Sequence, residues 1–319
     1  MLKYIAKRLV LSVFILLGVS LILFILIQNM PSSFAENKIA EINTKGELDE
    51  ETKKAIEEMY SMSYGEWIGR IVTFDFGESF TKQDTVVNVI KDNMFVSFLV
   101  AAIATIFEFM IAIPLGITAA KHQYSIRDYL VTFLVMVGIS LPAFFFGKIL
   151  QAVFSSGLGW LPLNGLGDAT TSSTGFAYAM EYIRYLILPV VTVVVLSIGG
   201  RMRMTRTEML EVLNSDYIRT ARAKGLKERV VIYKHAFRNT MIPLVTSLAG
   251  LLPSLFSGAI ITEQIFDLPG IGNIAYQAMI KGDIPLIMGY NMFLALLSII
   301  GVLLADLMYA VVDPRVKLQ

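Results

Sequence analysis

Six long apolar stretches, near 9–29, 95–120, 129–154, 185–204, 240–262 and 286–311, constrain this chain more than any other feature. About 20 apolar residues rising 1.5 Å each cross a hydrocarbon core of about 30 Å, and every stretch reaches that length. Inside lipid a backbone N–H or C=O finds no water, so segments of this kind must be helical. The chain therefore reads as an all-α membrane protein with six transmembrane helices. Composition agrees, with 55% hydrophobic and only 17% charged residues, outside the range of soluble domains. Cysteine is absent, which excludes a disulfide framework, a thiol nucleophile and a Cys-based metal site. The two histidines, His122 and His235, are far apart, so no metal site is expected.

Basic residues set the expected orientation, because loops rich in Lys and Arg stay in the cytoplasm. Lys3, Lys7 and Arg8 precede the first stretch, and Lys121 and Arg127 lie between the second and third. Ten Lys or Arg fall between Arg201 and Arg238, and Arg315 and Lys317 follow the last stretch. The alternate loops, 155–184 and 263–285, hold one basic residue each, Arg184 and Lys281. Both termini are expected in the cytoplasm. The first stretch reads as an uncleaved anchor rather than a signal peptide, although Ser33-Phe34-Ala35 resembles a cleavage site. Three regions follow: residues 1–30 with the first span, an extracytoplasmic segment 31–94, and a core 95–319 containing a cytoplasmic segment 205–238.

Within 31–94, Leu48, Thr52, Ile56 and Met59-Tyr60 recur at helical spacing among acids, which predicts an amphipathic helix. Trp67, Ile68, Ile71, Val72 and Phe74 suit a second helix at the membrane interface, where Trp is favoured. The segment is either a solvated cap or a landing surface for an external partner. After the fifth stretch, Pro269-Gly270 predicts a turn leading into a short helix that ends near Lys281.

The sequence carries no catalytic constellation. There is no phosphate loop, since Gly147-Lys148 is followed by Ile149, and there is no H-E-x-x-H pair. Three ionisable side chains lie inside apolar stretches: Glu108, Lys148 and Asp306. Such groups usually face protein or water. Glu108 fits either a pathway or relay role, or a pair with a neighbouring helix or subunit. Lys148 can snorkel outward, and Asp306 suits a hydrogen bond or ion pair near the inner face. Prolines at 114, 142, 189, 243 and 253 interrupt or start apolar helices.

The segment Asp216-Tyr-Ile-Arg-Thr-Ala-Arg-Ala-Lys-Gly225 is too charged for lipid. Residues 217–224 predict a short helix, with Gly225 as its stop. Helical spacing places Tyr217, Ala221 and Lys224 on one face, flanked by Arg219 and Arg222. By residue chemistry alone this is a docking surface for another protein or a charged loop that only sets orientation.

The same stretch resembles the cytoplasmic coupling segment, or EAA loop, of the membrane subunits of bacterial ABC importers. In that family a Glu-Ala-Ala precedes a glycine, followed by an Ile and a Leu-Pro. Here Arg219-Thr220-Ala221 takes the first positions and Gly225 the glycine. His235 and Phe237-Arg238 replace the Ile and Leu-Pro, and the proline comes later, at Pro243. This variant resembles the dipeptide, oligopeptide and nickel uptake branch. Further matches run in order along the chain: Lys7-Arg8-Leu9, Asp75-Phe-Gly77-Glu-Ser79, Ile113-Pro-Leu-Gly116, Gly159-Trp-Leu-Pro162, Pro269-Gly-Ile-Gly272 and Asp306-Leu-Met-Tyr-Ala310-Val-Val-Asp-Pro-Arg315. The short N-terminus and Pro269-Gly-Ile-Gly272 resemble the first ("B") of the two permease subunits.

The resemblance implies a type I ABC importer permease fold in the bacterial cytoplasmic membrane. It implies a second homologous permease subunit, two cytosolic ATP-binding subunits and an extracytoplasmic peptide-binding protein as partners, with membrane lipid around them and no nucleic acid. ATP and Mg would be held by the ATPase subunits, and this chain would hold no cofactor or metal. The coupling residues it implies are Tyr217, Arg219, Thr220, Ala221, Arg222, Ala223, Lys224, Gly225 and Leu226. Glu108 and Asp306 are candidates for the pathway or an intersubunit contact. The substrate class it implies is short peptides, with nickel or another small solute as the alternative. The rival class, a self-contained secondary transporter or channel, usually shows internal repeats, and the halves of this chain are not self-similar.

Overall fold

A computed structural model describes residues 2–29, 39–40, 53–54, 58–59, 61–166, 175–247, 251–257 and 259–312. Four long helices carry the architecture: α1 (Leu2–Gln28), α3 (Val86–Lys121), α6 (Phe176–Leu213) and α13 (Ile284–Val312). Between α1 and α3 lies α2 (Tyr64–Val72). Between α3 and α6 come α4 (Ile126–Ser140) and α5 (Ala143–Leu150), the latter running into a π-helical turn, Gln151–Gly157. After α6 come α7 (Asp216–Ala223), α8 (Glu228–Val230), a π-helical turn Val231–Ala236, α9 (Phe237–Ser247), α10 (Leu251–Ser257), α11 (Ile260–Ile265) and α12 (Ile271–Lys281).

The most extensive contact joins α3 and α6. Val96, Val100 and Ala104 pack on Leu186, Leu188, Val190 and Val194 in one cluster. At the other end Ile117 and Ala120 meet Met209. The two helices therefore run parallel. Gly116 permits their close approach, for a Cβ there would lie 2.7 Å from Thr205 Cβ and 2.8 Å from the Met202 carbonyl oxygen.

Parallel alignment has a topological consequence. The chain must cross back between Lys121 and Phe176, so α4 and α5 together make one crossing even though they are bent by 98° at their junction. The bend follows from Pro142, which has no N–H to donate and pushes Leu141 into an extended conformation, ψ 129°. The expected straight span 129–154 is thus a broken one. Asp283, just before α13, bonds Ser79 and Thr81 just before α3. The chain between Leu213 and Asp283 therefore crosses once more. The expected span 240–262 falls on α9, α10 and the start of α11, with 248–250 and 258 outside the described residues.

α1 packs against α13. Arg8 meets Asp306 near the end of α13, while Ile27 packs with Ile284 and Met288 near its start. The pair is antiparallel. Among the described residues, four long helices and the bent α4–α5 pair are long and apolar enough to cross a membrane, and the start of α1 and the end of α13 lie on the side that carries α7. The helices overrun the predicted stretches. α3 has 36 residues and α6 has 38, each above about 50 Å long at 1.5 Å per residue.

The predicted helix around Leu48 to Tyr60 lies largely outside the described residues. The second expected helix is α2, capped by Ser63 and Glu66 in a reciprocal pair of hydrogen bonds. Trp67 is buried against Phe76, while Val72 and Phe74 are the exposed apolar residues.

Candidate functional site

The basic segment is assembled from the end of α6 outward. α6 continues past the predicted 204 to Leu213, carrying Arg201, Arg203 and Arg206 along it. Arg206 makes a bidentate ion pair with the buried Asp128 in the first turn of α4, at 2.8 and 2.9 Å. After a break at Asn214-Ser215 the chain enters α7. Ser215 is extended there (φ −75°, ψ 152°) and Asp216 sits in the first turn, where the helix dipole favours an acid.

α7 has two faces. Ile218 is fully buried and Ala221 is 8% exposed. They pack with Ile117 and Ala120 of α3, Met209 of α6, and Val231, Ile232 and Ala236. The opposite face leaves Tyr217, Arg219, Thr220, Arg222, Ala223 and Lys224 exposed. The expected docking trio of Tyr217, Ala221 and Lys224 is therefore split. Ala221 turns into its own chain because Ile218 and Ala221, three apart, form the one apolar stripe of the helix.

The helix ends as a Schellman motif. The Gly225 N–H donates to the Arg222 carbonyl at 2.9 Å and the Leu226 N–H to the Ala221 carbonyl at 3.4 Å. Gly225 takes φ +75°, the left-handed region that glycine enters without strain, and its Cβ position is open space. Arg222 hydrogen-bonds Glu228 through two nitrogens, at 2.9 and 3.3 Å. Those bonds hold the Glu228 carboxyl below its ordinary range and raise Arg222. Asn239 donates to the Tyr217 hydroxyl at 2.8 Å. The result is a cationic ledge whose inner side packs on α3 and α6.

Two of the three ionisable residues inside the apolar stretches, Glu108 and Asp306, find partners in this chain. Glu108 accepts from Arg201 at 3.1 Å. Arg201 also donates to Ser247 at 2.6 Å and lies over the Phe109 ring, 4.4 Å from its centroid. Asp306 meets Arg8 at 3.0 Å, an ion pair rather than a directed hydrogen bond. Lys148 is exposed.

Three buried carboxylates matter more than the sequence suggests. Asp128 follows Ser125 by three residues, a capping pattern, and that signal was available. Glu263 gave no signal. It accepts from Ser97 at 2.6 Å and from the Asn273 N–H at 3.0 Å, while Ser97 accepts from the Ile271 N–H at 2.8 Å. Together they satisfy the open N-terminus of α12 and tie it to α3 and α11. Asp283 accepts from Ser79 at 2.6 Å and from the Thr81 N–H and hydroxyl at 3.0 and 2.7 Å. No cluster of three or more His, Cys, Asp or Glu is placed to hold a metal among the described residues.

Long apolar helices, with a cationic ledge at one end, define a multi-pass membrane protein. Residues 112–318 match the family described as binding-protein-dependent transport system inner membrane component. The chain belongs to that family and is a permease subunit of an ABC importer. It is 36% identical over 322 residues to the oligopeptide transport system permease protein AppB of Bacillus subtilis, covering 99% of this chain and 100% of that protein. It is 35% identical over 332 residues to the dipeptide transport system permease protein DppB of Alkalihalophilus pseudofirmus, covering 99% and 100%. A chain of the MetNI methionine ABC transporter in inward-facing form is similar in fold, with a TM-score of 0.53 at 15% identity, covering 71% of this chain and 97% of that one.

Proposed function

We propose that this chain forms half of the pathway through which short peptides are taken up across the bacterial cytoplasmic membrane. A second, homologous permease subunit supplies the other half. Two cytosolic subunits bind and hydrolyse ATP with Mg, and an extracytoplasmic protein delivers the peptide. The chain itself holds no catalytic residue, cofactor or metal. The basic ledge and both termini face the cytoplasm.

The observation that carries the reading is the two-sided build of α7. Its inner stripe, Ile218 and Ala221, is locked to α3 and α6, while its outer cationic face is uncovered. An ATPase subunit seated on Tyr217, Arg219, Thr220, Ala223 and Lys224, with Arg222, Gly225 and Leu226 at the edge, would transmit its closure on ATP as rigid-body motion of the helices. Ala221 serves this coupling from within, as the joint between ledge and membrane core. Peptide is favoured as substrate because the full-length relatives are oligopeptide and dipeptide transport system permease proteins.

The test is reconstitution in liposomes with the second permease, the two ATPase subunits and the binding protein. ATP-dependent uptake of a labelled short peptide is expected. Arg219→Glu with Lys224→Glu should abolish uptake and release the ATPase subunits while leaving the two permeases paired. Unchanged ATPase binding and uptake in that double variant would overturn the coupling assignment.

A further inference from the structure

A hollow of about 620 Å³ opens between the C-terminal end of α3, the first turn of α4 and residues 229–233. Lys121, Arg127 and Arg229 line it, one from each of these three elements. None of the three is in an ion pair among the described residues. The acids of this corner are already engaged. Asp128 is held by Arg206 at 2.8 Å and Glu228 by Arg222 at 2.9 Å, although Glu228 also feels the charge of Lys121. The hollow is therefore cationic on balance, and His122 at its rim adds a ring that can donate an N–H.

Ile117, Thr118, Ile232 and Tyr233 complete its lining, and of these Ile117 and Ile232 are buried. Beside it in the chain, Tyr124, Ile126 and Tyr129 are 74%, 78% and 63% exposed. Aromatic and aliphatic groups of this kind, next to cations at a helix end, fit the boundary between head groups and acyl chains. A ligand for this place needs an anionic head and an apolar body.

We propose that the hollow seats the phosphate of an anionic phospholipid, with the acyl chains lying along the exposed face of α4. Cations converging from three elements give charge-assisted hydrogen bonds to phosphate oxygens, and basic pockets between spans select anionic head groups. The lining of the hollow shares no residue with the exposed face of α7. The proposal rests on the orientation given above only in naming the cytoplasmic leaflet as the source.

The test uses the full chain in its assembled complex. After exchange into detergent, retained lipid is measured by native mass spectrometry with phosphatidylglycerol and phosphatidylcholine of matched chains supplied equally. The wild type should retain phosphatidylglycerol about tenfold or more over phosphatidylcholine, and Lys121→Gln/Arg127→Gln/Arg229→Gln should reduce that preference to about twofold or less. If the triple variant does not assemble, each single variant should lower the preference in part. Equal preference in wild type and variants overturns the proposal. Displacement of the lipid by millimolar inorganic phosphate would also overturn it, showing a free-anion site. Loss of ATPase subunits from the triple variant with lipid retention unchanged would make the hollow a protein contact instead. Thiol labelling of Lys121→Cys from either side of the membrane reports the leaflet independently, so a wrong orientation is distinguishable from a wrong ligand.

Discussion

Glu108 and Arg201 are largely enclosed, with side-chain exposures of 11% and 13%. Removing one partner of such a pair leaves an uncompensated charge, at a cost of about 3–5 kcal/mol. Arg201→Ala should therefore lower the unfolding temperature of the purified subunit sharply, whereas Glu108→Gln/Arg201→Gln should be milder because neither charge remains. A double-mutant cycle read by thermal unfolding checks the coupling. In α7 the two small residues part company. Ala221→Glu drives a carboxylate among Ile117, Met209 and Ile232 and should damage folding itself, while Ala223→Glu leaves folding intact and weakens only ATPase binding. Expression and assembly against pull-down of the ATPase subunits separate the two. Gly225→Ala meets no neighbour but must enter the left-handed region, costing about 1–2 kcal/mol. The Arg222–Glu228 bond is a smaller matter because both ends are half exposed. With the Glu228 carboxyl held below its ordinary value, its contribution is complete above that value and fades as pH falls through the lowered one.

Elements are joined here by buried carboxylates as much as by apolar packing. Asp283 gathers the turn at Ser79 and Thr81 onto the start of α13. Asp283→Ala strands the buried Ser79 hydroxyl and the partly buried Thr81 donors, at about 1–3 kcal/mol for each group left unsatisfied. Proteolysis within the 75–85 turn should accelerate in that variant while the spans stay resistant, and an unchanged cleavage rate would refute the clamp. The α3–α6 seam makes the opposite demand, for absence of volume. Gly116→Val should overpack against Thr205 and Met202 by about 1–3 kcal/mol, read as a lower unfolding temperature. Pro142 was legible as an interruption, but the size of the α4–α5 bend was not. Proline removes a donor and bars one conformation for its neighbour, and the angle then depends on what each half packs against.

The whole molecule has both ends of its described helices on the α7 side, and the proposed orientation puts that side in the cytoplasm. Single cysteines test it directly, since the chain has none of its own. Ser215→Cys should resist an impermeant thiol reagent in intact cells and Lys53→Cys should react; the reverse pattern would invert the topology. The chain reconstituted alone should give no ATP-driven uptake. Uptake by the lone chain under a proton gradient would revive the secondary-transporter reading, despite the internal pairing of Glu108.

The sequence by itself determined that this chain is an all-helical membrane protein, because hydrocarbon leaves a long apolar segment no other way to satisfy its backbone. It also determined the ends of α7, since Asp216 in the first turn and Gly225 at the stop act on their own local peptide groups. Tertiary structure alone decided which side of α7 is free. Spacing puts residues on a common face but does not say which face another helix covers, and so Ala221 read as outward when it packs inward. The same limit hid Glu263, whose partners Ser97 and Asn273 are supplied by two other elements. Pairing across the fold depends on distances in space, and those arise only once α3 and α6 lie side by side.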